Sequence, residues 1–97
     1  MTANPNRLYR MDEIMQMAGF KTKQTVYNWM REGIFPRQFK WGERAVRWPA
    51  NEVHAVMNAR RAGKTTEEIR ALVRQLYAER TAGAESAAAQ GEAVMAA

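Results

Sequence analysis

TKQTVYNWMREGIFP, residues Thr22–Pro36, is the stretch whose reading decides the fold. Thr22 can cap the free amides of a first helical turn. Val26, Trp29, Met30 and Gly33 then recur at i, i+3, i+4 and i+7, so one stripe faces a core. Gly33 supplies the stop and Pro36 the exit. Lys23, Gln24, Tyr27, Asn28 and Arg31 are left on the opposite face. That outward set comprises two cations, two carboxamides and a phenol, the side-chain types that bond phosphate oxygens and base edges. The stretch is therefore read as a DNA-recognition helix.

Working outward on the N-terminal side, Met11–Ala18 reads as a short helix with Asp12 and Glu13 at its positive end and Met11, Ile14, Met17 and Ala18 turned inward. Gly19 ends it, and Phe20-Lys21 connects it to Thr22. Two short helices so joined form a helix-turn-helix or, on this pattern alone, an ordinary helical hairpin. The C-terminal side favours the former. Arg37–Trp48, RQFKWGERAVRW, places Phe39, Trp41, Ala45, Val46 and Trp48 around Gly42-Glu43 as a small hairpin, a wing lined by Lys40, Arg44 and Arg47. Trp41, near its tip, either edges into a minor groove or folds back on the core.

Pro49 opens a third helix that runs to about Ala62 on a stripe of Val53, Val56, Met57 and Arg60, and Gly63 stops it. Thr65 with Glu68 is a capping box for a fourth helix, whose stripe of Ile69, Leu72, Val73, Leu76 and Tyr77 closes the core or forms a dimer seam. The Arg70 and Arg74 pair beside it reads as a solvated face, with Glu67 as a local partner. The expected fold is mainly α with a small β-hairpin, a winged helix-turn-helix over residues 8–80. Residues 1–7 are expected to be a loose lead-in and residues 81–97, rich in Ala, a disordered tail.

Fifteen Lys and Arg against ten Asp and Glu give a net charge of +5 and favour a polyanionic partner. Between Lys21 and Lys64 ten cations face only Glu32, Glu43 and Glu52, so the excess belongs to the middle of the chain. Cysteine is absent, which removes disulfides and thiolate metal sites and suits a reducing cytoplasm. No apolar run approaches a membrane span, and the start of the chain lacks the apolar centre of a signal peptide. An enzyme lacks parts: His54 is the single histidine, falls off the apolar stripe of its helix and reads as a surface residue, and no nucleophile and base can be paired. Gly63-Lys64-Thr65 lacks the upstream glycine of a phosphate-binding loop, since position 58 is Asn. No catalytic residue, metal, cofactor or small-molecule substrate is expected.

Arg7-Leu8, Arg10-Met11, Glu13-Ile14, Gly19-Phe20, TVYNWMREGIFP, the basic hairpin, Trp48 and Glu52-Val53 together resemble the AlpA-type phage regulatory proteins. The order of helix-turn-helix, wing and the GKTTEEIRALVRQL helix is similar, more loosely, to MerR-like regulators. The resemblance runs from Arg7 to about Leu76. It implies a winged DNA-binding transcriptional regulator or, alternatively, an excisionase that bends DNA to set the direction of recombination. By position it assigns Lys23, Gln24, Thr25, Tyr27 and Asn28 to the recognition helix and Lys40, Arg44 and Arg47 to the wing. Lys21 stands as an extra residue in the turn, where it alters how the recognition helix is presented. Double-stranded DNA is the expected partner, bound by a homodimer or a cooperative array on repeated sites. A competing class is a protein-interaction adaptor that docks through the stripe of the fourth helix.

Overall fold

Local capping signals set the helix boundaries. In the computed structural model, which describes residues 7–96 and the side chains of residues 7–83, α1 spans Met11–Ala18 and ends on Gly19 in the left-handed conformation. The Glu13 carboxylate accepts the Arg10 amide N–H at 3.0 Å and the Arg7 guanidinium at 2.8 Å, closing the first turn. α2 spans Lys23–Arg31, with Thr22 as its cap: the Thr25 amide donates to Thr22 Oγ1 at 3.4 Å. Its end is a left-handed turn at Gly33, φ 77°, in which the Ile34 amide reaches back to the Trp29 carbonyl. Only glycine takes that backbone without strain.

The chain then forms β2 (Phe39–Lys40) and β3 (Val46–Pro49), an antiparallel hairpin pairing Phe39 with Arg47 and Lys40 with Val46. The strand the sequence does not announce is β1, Leu8–Tyr9. It pairs antiparallel with the other edge of β3, Leu8 opposite Pro49 and Tyr9 opposite Trp48, and gives a three-stranded sheet of order β1-β3-β2. The Ala50 amide extends this pairing by donating to the Arg7 carbonyl at 2.9 Å. Residues 8–9 are thus bound into the domain; of the lead-in expected over 1–7, residues 1–6 lie outside the described residues.

α3 (Ala50–Arg61) follows Pro49 directly, and Gly63 separates it from α4 (Thr66–Ala96). The capping box of α4 is reciprocal: the Thr65 amide donates to Glu68 at 2.9 Å and the Glu68 amide to Thr65 Oγ1 at 3.1 Å. The helical backbone continues to Ala96, past the Arg80 end expected from sequence and through the segment expected to be disordered. A helix already nucleated and docked adds alanines readily. Glycine at positions 83 and 91 opposes this by only about 1 kcal/mol each.

Two clusters form the core. Tyr9, Ile14, Val26, Phe35, Trp48, Ala50 and Val53 are buried where α1, α2 and α3 meet the sheet. Ile34, Val56, Ile69 and Val73 join α4 to α3, with Trp29 packed against both groups. The aromatic rings run edge to face from Phe20 to Trp29 (4.6 Å), Trp29 to Phe35 (6.4 Å) and Phe35 to Trp48 (6.5 Å). Trp48 is fully buried, and its indole N–H donates to the Pro36 carbonyl at 3.0 Å, so the one polar atom of the ring is satisfied. Arg60 stacks over Trp29 at 4.0 Å, and burial pushes its pKa down from the ordinary arginine value.

Because Ile69 and Val73 are buried in this way, the stripe of α4 closes the core. Ile69 and Val73 of that stripe are covered from within the chain, Leu72 and Leu76 are half-buried, and Tyr77 stays exposed. At the far end of the contact the buried Glu52 accepts two hydrogen bonds from Arg80, at 2.9 and 2.5 Å, and Arg80 also donates to the Arg37 carbonyl at 2.8 Å. Arg70 is not simply solvated. It pairs with Glu67 as expected, but its Nε also donates to the Glu32 carbonyl at 2.9 Å, tying α4 to the end of α2.

His54 corrects the reading of a free surface residue. It is half-buried, and its Nε2 lies 2.7 Å from the hydroxyl of the buried Tyr9. The cause is β1, which lays Tyr9 across α3.

Candidate nucleic-acid interface

The cap at Thr22 fixes where α2 begins, and the burial of Val26 fixes its rotation. Lys23, Gln24, Tyr27, Asn28 and Arg31 are consequently all exposed. Thr25 is different. It is half-buried, and its hydroxyl sits 3.2 Å from that of Thr22, so it belongs to the cap of α2 more than to the outward face. Gln24 Nε2 donates to Asn28 Oδ1 at 2.9 Å. This one bond leaves the Gln24 Oε1 and the Asn28 Nδ2 groups facing outward, and it restrains two side chains that would otherwise sample several rotamers.

The wing is closed by the Ala45 carbonyl, which accepts from the amides of Trp41 at 2.9 Å and Gly42 at 3.4 Å. Lys40 and Arg44 are exposed. Arg47 is half-buried, with its Nη1 donating to the Val46 carbonyl at 2.8 Å. Trp41 does not fold onto the core: it is 62 % exposed, with its ring edge to face with that of Phe39 at 6.2 Å.

Between the start of α1, the first two turns of α2 and the base of the wing runs an open groove of about 490 Å³. It brings together Lys23 and Tyr27 from α2 with Arg44 and Arg47 from the wing, over Met11, Ala45 and Val46. Arg10 also lines it, a cation that sequence reasoning did not select. The only hint in the sequence was its place immediately before α1, because what carries it to the wing is the pairing of β1 with β3. Asp12 is the single acid in the lining. Arg10 shares itself with Asp12 at 3.5 Å and Glu13 at 3.4 Å. Four cations against one carboxylate leave the groove positive, and the amides at the start of α2 add to that potential.

Not every expected residue converges there. Gln24 and Asn28 lie outside the groove lining on the exposed face of α2, and Lys40 and Trp41 stand further out on the wing. Arg31, at the other end of α2, lines a separate groove with Arg37, Arg70 and Arg74. Among the described residues no group of His, Cys, Asp and Glu is arranged to hold a metal ion, and no helix is long and apolar enough to cross a membrane.

The helix-turn-helix of α1 and α2, the hairpin wing beside α2 and the basic groove between them define a winged helix-turn-helix protein. Residues 7–61, more than half of the chain, match the family of the prophage CP4-57 regulatory protein (AlpA), and the chain belongs to that family of phage regulatory proteins. The match stops at Arg61, short of the Leu76 limit expected from the resemblance, so α4 lies outside it. An uncharacterised protein of enterobacteria phage P4, ORF88, is 38 % identical over 58 residues, covering 60 % of this chain and 65 % of that relative. The chain thus spans slightly less than two thirds of the relative's length. No solved structure matches the chain.

Proposed function

We propose that the protein is a sequence-specific regulator of transcription that binds double-stranded DNA. α2 enters the major groove, Gln24 and Asn28 read base edges, and Lys23, Lys40, Arg44 and Arg47 hold phosphates. The observation that carries this reading is the convergence of Lys23, Tyr27, Arg44, Arg47 and Arg10 on one positive groove flanked by the exposed carboxamides of α2. An asparagine or glutamine amide pairs bidentately with adenine, whereas lysine and arginine on phosphates set affinity without reading sequence.

A module of this size covers only about 600–1,000 Å² on DNA, which favours two or more copies on repeated sites. Titrating a labelled duplex across salt concentrations tests the reading. Four or five phosphate contacts give a log-log slope of about −4. A slope near zero, or no binding to any genomic fragment, would sink it. Sedimentation on a duplex with repeated sites tests the cooperative arrangement, and a single tightly bound copy counts against it.

One observation supports the alternative of an excisionase that bends DNA, namely the exposure of Trp41 at the wing tip. An aromatic wedge there suits a protein that kinks the duplex. Mapping the bound sites in the genome distinguishes the roles: a regulator occupies promoters, an excisionase attachment sites.

A further inference from the structure

At the opposite end of α2 from the proposed DNA groove, the end of that helix and the solvent side of α4 enclose a trough of about 350 Å³. Its rim carries Arg31, Arg37, Arg70 and Arg74 against one acid, Glu32, and Met30, Val73 and Tyr77 contribute its apolar walls. We propose that this trough docks an acidic segment of a partner protein, one whose carboxylates meet the arginines while a leucine-like or aromatic side chain enters between Met30 and Tyr77. This inference does not rest on the DNA reading.

Three features support it. Two of the arginines are held in place before any ligand arrives: Arg37 stacks over the Tyr77 ring at 4.8 Å, and Arg70 is bonded to the Glu32 carbonyl and to Glu67. The Arg31 and Arg74 side chains are exposed and, among the described residues, form no ion pair. Both guanidinium groups are therefore open to an external carboxylate. Finally, Tyr77 stays 39 % exposed although Ile69 and Val73 of the same stripe are buried. A phosphate backbone would use the arginines and leave the apolar walls wet, whereas an acidic segment with an apolar anchor satisfies both. Carboxylates match the planar fork of arginine, and aromatic and arginine side chains together are what the energetic centres of protein interfaces are made of. The position also suits recruitment. The trough joins Met30, Arg31 and Arg37, inside the segment matched to the family, to Arg70, Arg74 and Tyr77 of α4, outside it.

The full-length chain is titrated into three labelled probes: a synthetic amphipathic helix with glutamates on one face and leucine and phenylalanine on the other, a glutamate-glycine peptide of the same charge, and a duplex of mixed sequence. The amphipathic peptide is expected to bind in the micromolar range and at least about tenfold more tightly than the charge-only peptide. Arg74→Glu should weaken it about tenfold and change duplex binding by less than about twofold, and Arg44→Ala should do the reverse. Tyr77→Ala, checked for folding by circular dichroism, should also weaken the peptide without altering charge. Failure of the amphipathic peptide to bind overturns the proposal, as does equal binding of the charge-only peptide. An Arg74→Glu loss as large on the duplex as on the peptide overturns it too, because the trough is then a phosphate contact. If the duplex fails to bind at all, the DNA reading falls and the peptide measurements still decide this one.

Discussion

Replacing Arg80 with Ala tests how the long α4 is held to the rest of the molecule. The substitution leaves Glu52, buried beneath α4, without the guanidinium that now bonds both of its oxygens, and it also frees the Arg37 carbonyl. Removing one partner of a buried ion pair is destabilising by about 3–5 kcal/mol, whereas an exposed pair is worth at most about 1 kcal/mol. The Glu52 side chain is 6 % exposed and that of Arg80 21 %, so water reaches the arginine's outer edge and the lower end of the range applies, about 3 kcal/mol. For a domain of this size each kcal/mol moves Tm by about 4–8 °C, so the variant should melt about 12–24 °C lower. Urea unfolding of the wild type, Arg80→Ala, Glu52→Gln and the double variant closes a cycle. The double variant should be less destabilised than the two single losses added, with a coupling of about 2 kcal/mol. A loss under about 1 kcal/mol for Arg80→Ala with no measurable coupling would refute the reasoning and make the pair a solvated one.

Asn28→Ala should relax preference at one base position by about 1–3 kcal/mol, while Arg44→Ala should weaken all sequences alike; competition titrations with single-base variants of the bound site tell the two apart, and exchanged behaviour would reverse the roles. Arg10→Ala should lower the salt slope by about 0.9 without changing sequence preference, the mark of one phosphate contact, which a salt series on a single duplex reads directly. Trp48→Ala removes a fully buried ring together with its bond to the Pro36 carbonyl and should cost about 3–5 kcal/mol in urea unfolding, a large share of the stability of so small a domain. Stability should also fall on the acid side. The Arg10 amide and then Arg7 hold the Glu13 carboxyl below the ordinary glutamate value of 4.5, and the Thr65 amide and hydroxyl do the same for Glu68. A folded-state value below the unfolded one means that their stabilisation is complete above 4.5 and is lost as pH falls through the depressed values. Melting curves from about pH 6 to pH 3 should therefore drop less steeply for Glu13→Gln than for the wild type.

Much of this protein is written in signals that act over one or two helical turns. The bounds of α1, the Thr22 cap, the outward face of α2, the glycine turn at Gly33, the hairpin about Gly42 and the Thr65–Glu68 box are all local. Each follows from periodicity, a capping hydroxyl, a turn residue between alternating apolar positions or, at Gly19 and Gly33, a backbone that only glycine adopts easily. The exposure of Lys23, Gln24, Tyr27, Asn28 and Arg31 is legible for the same reason, since the buried stripe dictates its opposite. What the tertiary structure alone decided are the pairings between distant segments. A two-residue strand has no period to detect, so Leu8-Tyr9 became visible only through its partner β3. With it came the bond from Tyr9 to His54, 45 residues away, and the arrival of Arg10 beside the wing. The same holds for Arg80 on Glu52, 28 residues apart, and for Arg70 on the end of α2. A long cationic side chain reads as solvated until a particular acid or carbonyl is brought within its reach, and only the packing of α4 against α3 does that.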